Sequence, residues 1–174
     1  MSEVGIILGS DSDLPKVKKC FQILDEFKIG YEVIISSAHR TPEQTKQWVS
    51  GAKDRGIKVI IAVAGGAAHL PGVVASYTLL PVIGVPVETN LSGGMDSILS
   101  ILQMPGGIPV AAMPAGSAGG MNSALFAVNI LALNNETYYK KLLEYRENMK
   151  TGILKKNDLI AEKGLMQYIK ELEK

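Results

Sequence analysis

Five short apolar runs, Val4–Leu8, Tyr31–Ile35, Lys58–Ala64, Pro81–Val87 and Ile108–Met113, alternate with stretches whose apolar residues recur at helical spacing. This alternation constrains the chain more than any other feature. A run of four to seven residues with few polar positions reads as a strand buried on both faces, and such strands occur in parallel sheets covered by helices. Between the first two runs, Leu14, Val17, Phe21, Leu24 and Phe27 keep three- and four-residue spacings. This predicts a helix from Leu14 to Phe27. Pro42 opens a second helix to about Arg55, with Thr41 at the N-cap, Pro42 at the first helical position and Glu43 in the first turn. Further helices are expected over Pro71–Tyr77, Asp96–Gln103 and about Met121–Leu133.

Strand–helix alternation with right-handed crossovers predicts an α/β fold: a three-layer, doubly wound parallel sheet of about five strands, flavodoxin-like. Two Lys/Glu-rich helices then follow, Glu136–Lys150 and Lys155–Lys174, joined near Gly152 and Asn157. No strand comes after them, so they lie outside the βαβ pattern. Residues 1–150 are expected to form the α/β domain. Residues 151–174 are expected to form a C-terminal helix packing on the body or on a neighbouring subunit.

Composition removes several classes. The 174 residues carry a net charge of +1, and 47% are hydrophobic, too apolar and too weakly charged for disorder. Near-neutrality argues against a nucleic-acid partner, which calls for a basic stripe. A single cysteine, Cys20, rules out an internal disulfide framework and a cysteine-based zinc site. Pro71, Pro81 and Pro86 interrupt the longest apolar region, so no membrane span is expected there. The start of the chain has no basic flank before an apolar core, so no secretory leader is expected and the protein reads as cytoplasmic.

In a doubly wound sheet, ligands bind beyond the carboxyl ends of the strands, so the residues after each run map the candidate site. After the first come Gly9, Ser10, Asp11, Ser12 and Asp13, whose hydroxyls and carboxylates can cap a helix and whose amides favour an anion. After the second come Ser36, Ser37, Ala38, His39 and Arg40. Arg40 can grip a phosphate or carboxylate bidentately, and imidazole is the side chain that titrates near neutrality unaided. After the third come Gly65, Gly66, Ala67, Ala68, His69 and Leu70, small residues that let a ligand approach the backbone. His69 reads either as a polar residue at a helix start or as a ligand contact. Asn90–Ser97 and Pro114–Asn122 follow the last two runs; Asp96 and Ser97 can simply cap a helix, and Gly119, Gly120 and Ala124 suit close packing. Dinucleotide, nucleoside-triphosphate and nucleophile-elbow motifs are absent, and no His/Asp/Glu cluster has metal-ligand spacing.

Five ordered blocks, Gly9–Asp13, Ser37–Pro42, Ala64–Gly72, Leu80–Val87 and Asp96–Pro105, closely resemble the N5-carboxyaminoimidazole ribonucleotide mutase family of de novo purine synthesis. The likeness spans roughly residues 4 to 134. It implies transfer of a carboxyl group from N5 of the nucleotide to carbon 4 of its imidazole ring, with no metal or other cofactor. It also implies His39 as the proton-transfer residue. Ser10, Ser12, Asp13, Ser37, Ala38, Arg40, Gly65, Gly66, Ala67, His69 and Leu70 are the implied substrate contacts: Arg40 and the Ser10 turn at the 5′-phosphate, Asp13 at the ribose, and the Gly65–Leu70 loop around the base and migrating carboxylate. His69 is implied to position rather than react. The resemblance further implies a homo-octamer with sites shared between subunits, and functional coupling to an ATP-dependent synthetase that makes the N5-carboxylated nucleotide. Arg40, where a direct CO2-using carboxylase branch carries Lys, together with Gly66–Leu70, resembles the mutase branch. Gly120 and Ser123 depart from the alanines common in the family. Two alternatives stay open: the direct carboxylase, and a flavodoxin-like module that binds a nucleotide without turnover.

Overall fold

A computed structural model of the chain describes residues 1–173; Lys174, the last residue of the expected C-terminal helix, lies outside the described residues. Strands β1 (Val4–Leu8), β2 (Tyr31–Ile35), β3 (Val59–Ala64), β4 (Val82–Pro86) and β5 (Ala111–Ala112) form one sheet in the order β2-β1-β3-β4-β5. Every pairing is parallel, with Leu8 opposite both Ile35 and Val63, and Val63 opposite Val85. This is the flavodoxin-like doubly wound sheet expected from the alternation. The three central strands carry no exposed residue, and Val4, Ile6, Ile7, Ile60, Ile61 and Ile83 are fully buried. Burial on both faces explains why their sequence does not alternate. The edge strand β2 is different: Val33 and Ile35 are 43% and 41% exposed, since one face of that strand is left uncovered.

The helices are α1 (Lys18–Phe27), α2 (Pro42–Ser50), α3 (Leu70–Ser76), α4 (Met95–Leu102) and α5 (Gly116–Ala132). Three departures from expectation have local causes. The first helical segment begins as two 3-10 turns, Asp11–Asp13 and Pro15–Val17, and becomes α-helical only at Lys18. Pro15 opens the second of these turns, at the first helical position, where its missing N–H costs no intrahelical bond. β5 has two residues rather than six, because Pro109 and Pro114 flank it and neither can donate to the ladder. α5 starts at Gly116 rather than Met121, taking the glycine-rich stretch into the helix.

Those glycines are there for contact. A Cβ on Gly119 would run into the Pro114 carbonyl and stand 3.2 Å from Val85 Cγ1; one on Gly120 would stand 3.0 Å from Val17 Cα. Ser123, fully buried, donates to the Gly120 carbonyl at 2.8 Å. The two departures from the family pattern therefore serve the seat of α5. Cys20 is packed in the same region, and burial pushes its thiol up to about 12, so it stays protonated.

The chain divides into two compact units, Met1–Leu131 and the residues from Ala132 on. The second holds α6 (Glu136–Lys163) and α7 (Leu165–Leu172). Asn135 caps α6, its Oδ1 accepting from the Thr137 and Tyr138 amides at 3.0 and 3.3 Å. The break expected near Gly152 lies at Gly164 instead, whose φ of +82° ends the helix, while Gly152 is accommodated within α6. Lys163 and Glu171 pair across that break at 2.7 Å. Among the described residues, no helix is long and apolar enough to cross a membrane.

Candidate active site

The sheet order sets the carboxyl ends of β2, β1, β3 and β4 side by side, and the loops leaving them wall a cavity of about 440 Å³. Each loop is shaped by its own short-range bonds. After β1, Ser10 adopts extended backbone and caps the first 3-10 turn, its Oγ accepting from the Ser12 amide at 3.3 Å and from the Ser12 hydroxyl at 2.9 Å. Asp13 closes that turn, only 8% exposed, with Lys16 Nζ 3.4 Å from its Oδ1.

After β2 the chain turns over a knot of hydroxyls. Thr41 Oγ1 accepts from the Ser37 amide at 2.9 Å, and Ser37 Oγ accepts from the Arg40 amide at 3.3 Å. Underneath, Ser36 Oγ lies 2.8 Å from Thr45 Oγ1 and 3.0 Å from Thr41 Oγ1, with Ser36 and Thr45 both buried. Thr41 occupies the N-cap of α2 as expected, but its side chain holds this loop rather than the helix amides. The loop is thereby fixed with His39 and Arg40 at its exposed crest, and Arg40 Nη2 donates to the Gly9 carbonyl at 3.0 Å, tying it to the β1 loop.

After β3, Gly66 takes a φ of +66° and donates its amide to Ser97 Oγ at 2.8 Å, a side chain from α4 with no exposure. The Ala68 and His69 amides turn inward to the carbonyls of Gly66 and Ala67 at 2.8 and 2.7 Å. Gly65 lies so near the residue that follows β4 that a Cβ there would be 3.3 Å from Val87 Cβ. His69, at the N-cap of α3, makes no capping bond. Its Nδ1 instead lies 2.8 Å from His39 Nε2, with the rings nearly perpendicular at 81° and their centroids 5.0 Å apart. After β4, Glu88 and Thr89 join the wall, and Thr89 donates to Asp96 Oδ1 at 2.7 Å. That hydrogen bond holds the Asp96 carboxyl below the usual carboxylate range.

Ten of the residues expected at the site line the cavity: Ser10, Asp13, Ser37, Ala38, His39, Arg40, Gly65, Ala67, His69 and Leu70. Ser12 and Gly66 do not; their amides bond inward, to Ser10 and Ser97 respectively. No residue of Pro114–Asn122 lines it either. Lys16, Glu88 and Thr89 do, and none of them is among the residues expected at the site from the sequence. Glu88 and Thr89 follow the β4 run directly, so the strand-end rule contained that signal. Lys16 had a fainter one: it stands three residues after Asp13, near enough along the chain for the two charges to pair.

A family model described as AIR carboxylase matches residues 3–152. The chain belongs to the AIR carboxylase family. The N5-carboxyaminoimidazole ribonucleotide mutase of Thermotoga maritima is 50% identical to it over 173 residues, covering 99% of this chain and all of the relative. The enzyme of the same name from Bacillus subtilis is 53% identical over 158 residues, covering 91% of this chain and 98% of the relative. Among solved structures, Treponema denticola PurE superposes with a TM-score of 0.83 at 29% identity, covering 92% of this chain and 99% of that one. The family expected from the five sequence blocks is the family found. The matched residues take in every loop of the cavity wall.

Proposed function

We propose that this chain is a mutase of de novo purine biosynthesis that converts N5-carboxyaminoimidazole ribonucleotide to 4-carboxy-5-aminoimidazole ribonucleotide. One observation carries the reading: an imidazole pair, His39 and His69 at 2.8 Å, lines the same cavity as a single arginine and a small-residue loop. The names and near-complete coverage of the Thermotoga and Bacillus relatives support it.

His39 protonates N5 of the substrate as the bond between N5 and the carboxyl carbon breaks, giving CO2 and the aminoimidazole. The electron-rich carbon 4 then attacks the CO2 held in the cavity, and His39 takes the proton that carbon 4 must lose. The proton delivered to N5 is balanced by the one recovered from carbon 4, so the reaction is a net isomerisation. General acid–base help of this kind contributes about 10²–10⁴-fold. Confinement supplies the rest, since CO2 released beside its acceptor reacts as an intramolecular partner. The contact with His69 Nδ1 holds the orientation of the His39 ring, as a second group does in other imidazole catalysts.

In this reading Ser10 and Arg40 hold the 5′-phosphate, Asp13 takes the ribose hydroxyls, and Ser37, Ala38, Gly65, Ala67 and Leu70 surround the base and the migrating carboxylate. Ser12 and Gly66 support it from behind the wall, by shaping the two turns. Incubation with N5-carboxyaminoimidazole ribonucleotide, without added bicarbonate, should give the 4-carboxylated product by absorbance. Product formed only from aminoimidazole ribonucleotide plus CO2 would instead make the chain a direct carboxylase, and no product from either would leave a binding module. Arg40→Ala should raise KM by at least about tenfold, the worth of one charge-assisted hydrogen bond, while kcat changes less. An unchanged KM would remove Arg40 from the phosphate.

We also propose a cytoplasmic homo-octamer, with α6 and α7 reaching a neighbouring copy and an ATP-dependent synthetase supplying the substrate. Support for assembly comes from apolar side chains open to solvent, among them Leu79, Leu91, Met95, Leu99 and Leu102, and from the absence of any buried residue in α6 or α7.

A further inference from the structure

We infer that Lys16 is a second cation for the 5′-phosphate of the substrate, acting beside Arg40. The inference rests on the nucleotide reading given above and adds to it a residue that the family blocks do not contain. Lys16 lines the cavity, with its side chain 42% exposed.

Charge balance is the first reason. Arg40 and Lys16 are the two full cations on the cavity wall, and Asp13 and Glu88 are its two carboxylates. A phosphate monoester brings about −1.5 to −2 at neutral pH, and the substrate adds a carboxylate. Arg40 alone would leave that anion facing a wall with a carboxylate in excess. Backbone amides offer limited relief, because those of Ser12, Ala68 and His69 are already bonded within their own loops and that of Gly66 is bonded to Ser97 of α4.

Place is the second reason. Arg40 donates to the Gly9 carbonyl, so its guanidinium lies on the β1 loop, and Lys16 enters the cavity from the continuation of that loop. Its present partner is held loosely: Nζ is 3.4 Å from Asp13 Oδ1, whereas the Arg55–Glu32 and Lys58–Glu3 pairs close to 2.6 Å. A lysine head on a flexible four-carbon stem can leave such a contact for a phosphate within a few ångströms. Asp13 is then released to accept from the ribose. Until a phosphate takes the lysine, the same contact keeps the nearly buried Asp13 carboxylate compensated.

The test compares Lys16→Met, which keeps the stem and removes the charge, with Lys16→Arg, which keeps the charge. KM and kcat are measured with N5-carboxyaminoimidazole ribonucleotide, and inhibition with aminoimidazole ribonucleotide and with the ribonucleoside lacking the phosphate. For Lys16→Met the expected results are a KM raised about tenfold, kcat within about twofold, and inhibition by the ribonucleotide weakened about tenfold while that by the ribonucleoside stays constant. Lys16→Arg should recover most of the loss. If the ribonucleotide and ribonucleoside weaken by the same factor, Lys16 only supports Asp13 and the inference is wrong; an unchanged KM overturns it equally. A wild-type protein that binds the ribonucleotide without turnover would end the mutase reading, yet the inhibitor-binding comparison would still decide Lys16. Failure to bind either inhibitor would end both.

Discussion

His39→Asn is expected to lower kcat by at least about 10²-fold while nucleotide binding stays within a few-fold of wild type. Asparagine retains a polar group at the loop crest but has no proton to exchange near neutrality. The loop should survive the change, because its shape comes from Ser36, Ser37, Thr41 and Thr45 rather than from the imidazole. Single-turnover kinetics with N5-carboxyaminoimidazole ribonucleotide and a direct binding titration separate the two effects. More than about a tenth of the wild-type rate in the variant would take the proton transfer away from His39. Loss of binding in parallel with rate would show that the ring serves chiefly to hold the nucleotide.

Gly119→Ala is expected to destabilise the fold by about 2–3 kcal/mol, the upper part of the range for overpacking a close-packed contact. The added methyl group meets the backbone carbonyl of Pro114 and the side chain of Val85 in β4, and a carbonyl cannot rotate aside as a side-chain tip can. Either the first turn of α5 opens or the helix lifts from the sheet. At roughly 2–4 °C per kcal/mol for a chain of this size, thermal unfolding should fall by about 4–12 °C. Gly106→Ala is the matched control, since nothing lies within 4 Å of a Cβ there, and its change should stay within about 0.5 kcal/mol. Equal melting temperatures for the two variants would mean that α5 does not sit on the sheet through Gly119.

Legibility followed the range of the interactions. The strands could be read because burial on both faces forces continuous apolar runs, and Val4–Leu8 and Tyr31–Ile35 match β1 and β2 to the residue. The edge strand β5 was overestimated: an apolar run around Ala111 looks like the others, and only the flanking prolines limit its pairing to two residues. Helix ends were less legible. Gly152 looked like a terminator but is helical, because a glycine in a long exposed helix costs only about 1 kcal/mol and the surrounding turns can carry it. At the site, the strand-end rule led to Ser10, His39, Arg40, Gly65 and His69 because each follows a recognisable strand. It did not lead to Lys16, which lines the cavity from the second 3-10 turn, beyond the loop that directly follows β1.

By itself the sequence determined the kind of fold, the loops that would face one another and the residue types available for chemistry, because local periodicity and turn chemistry act over a few neighbouring positions. What the tertiary structure alone decided was contact between loops: His39 against His69 thirty residues on, Arg40 against the Gly9 carbonyl, and the Gly66 amide turned away to Ser97. The physical reason is that those distances are set by the order in which the strands hydrogen-bond. With β1 seated between β2 and β3, residues far apart along the chain are brought within a hydrogen bond, and no pattern within any one segment encodes that adjacency.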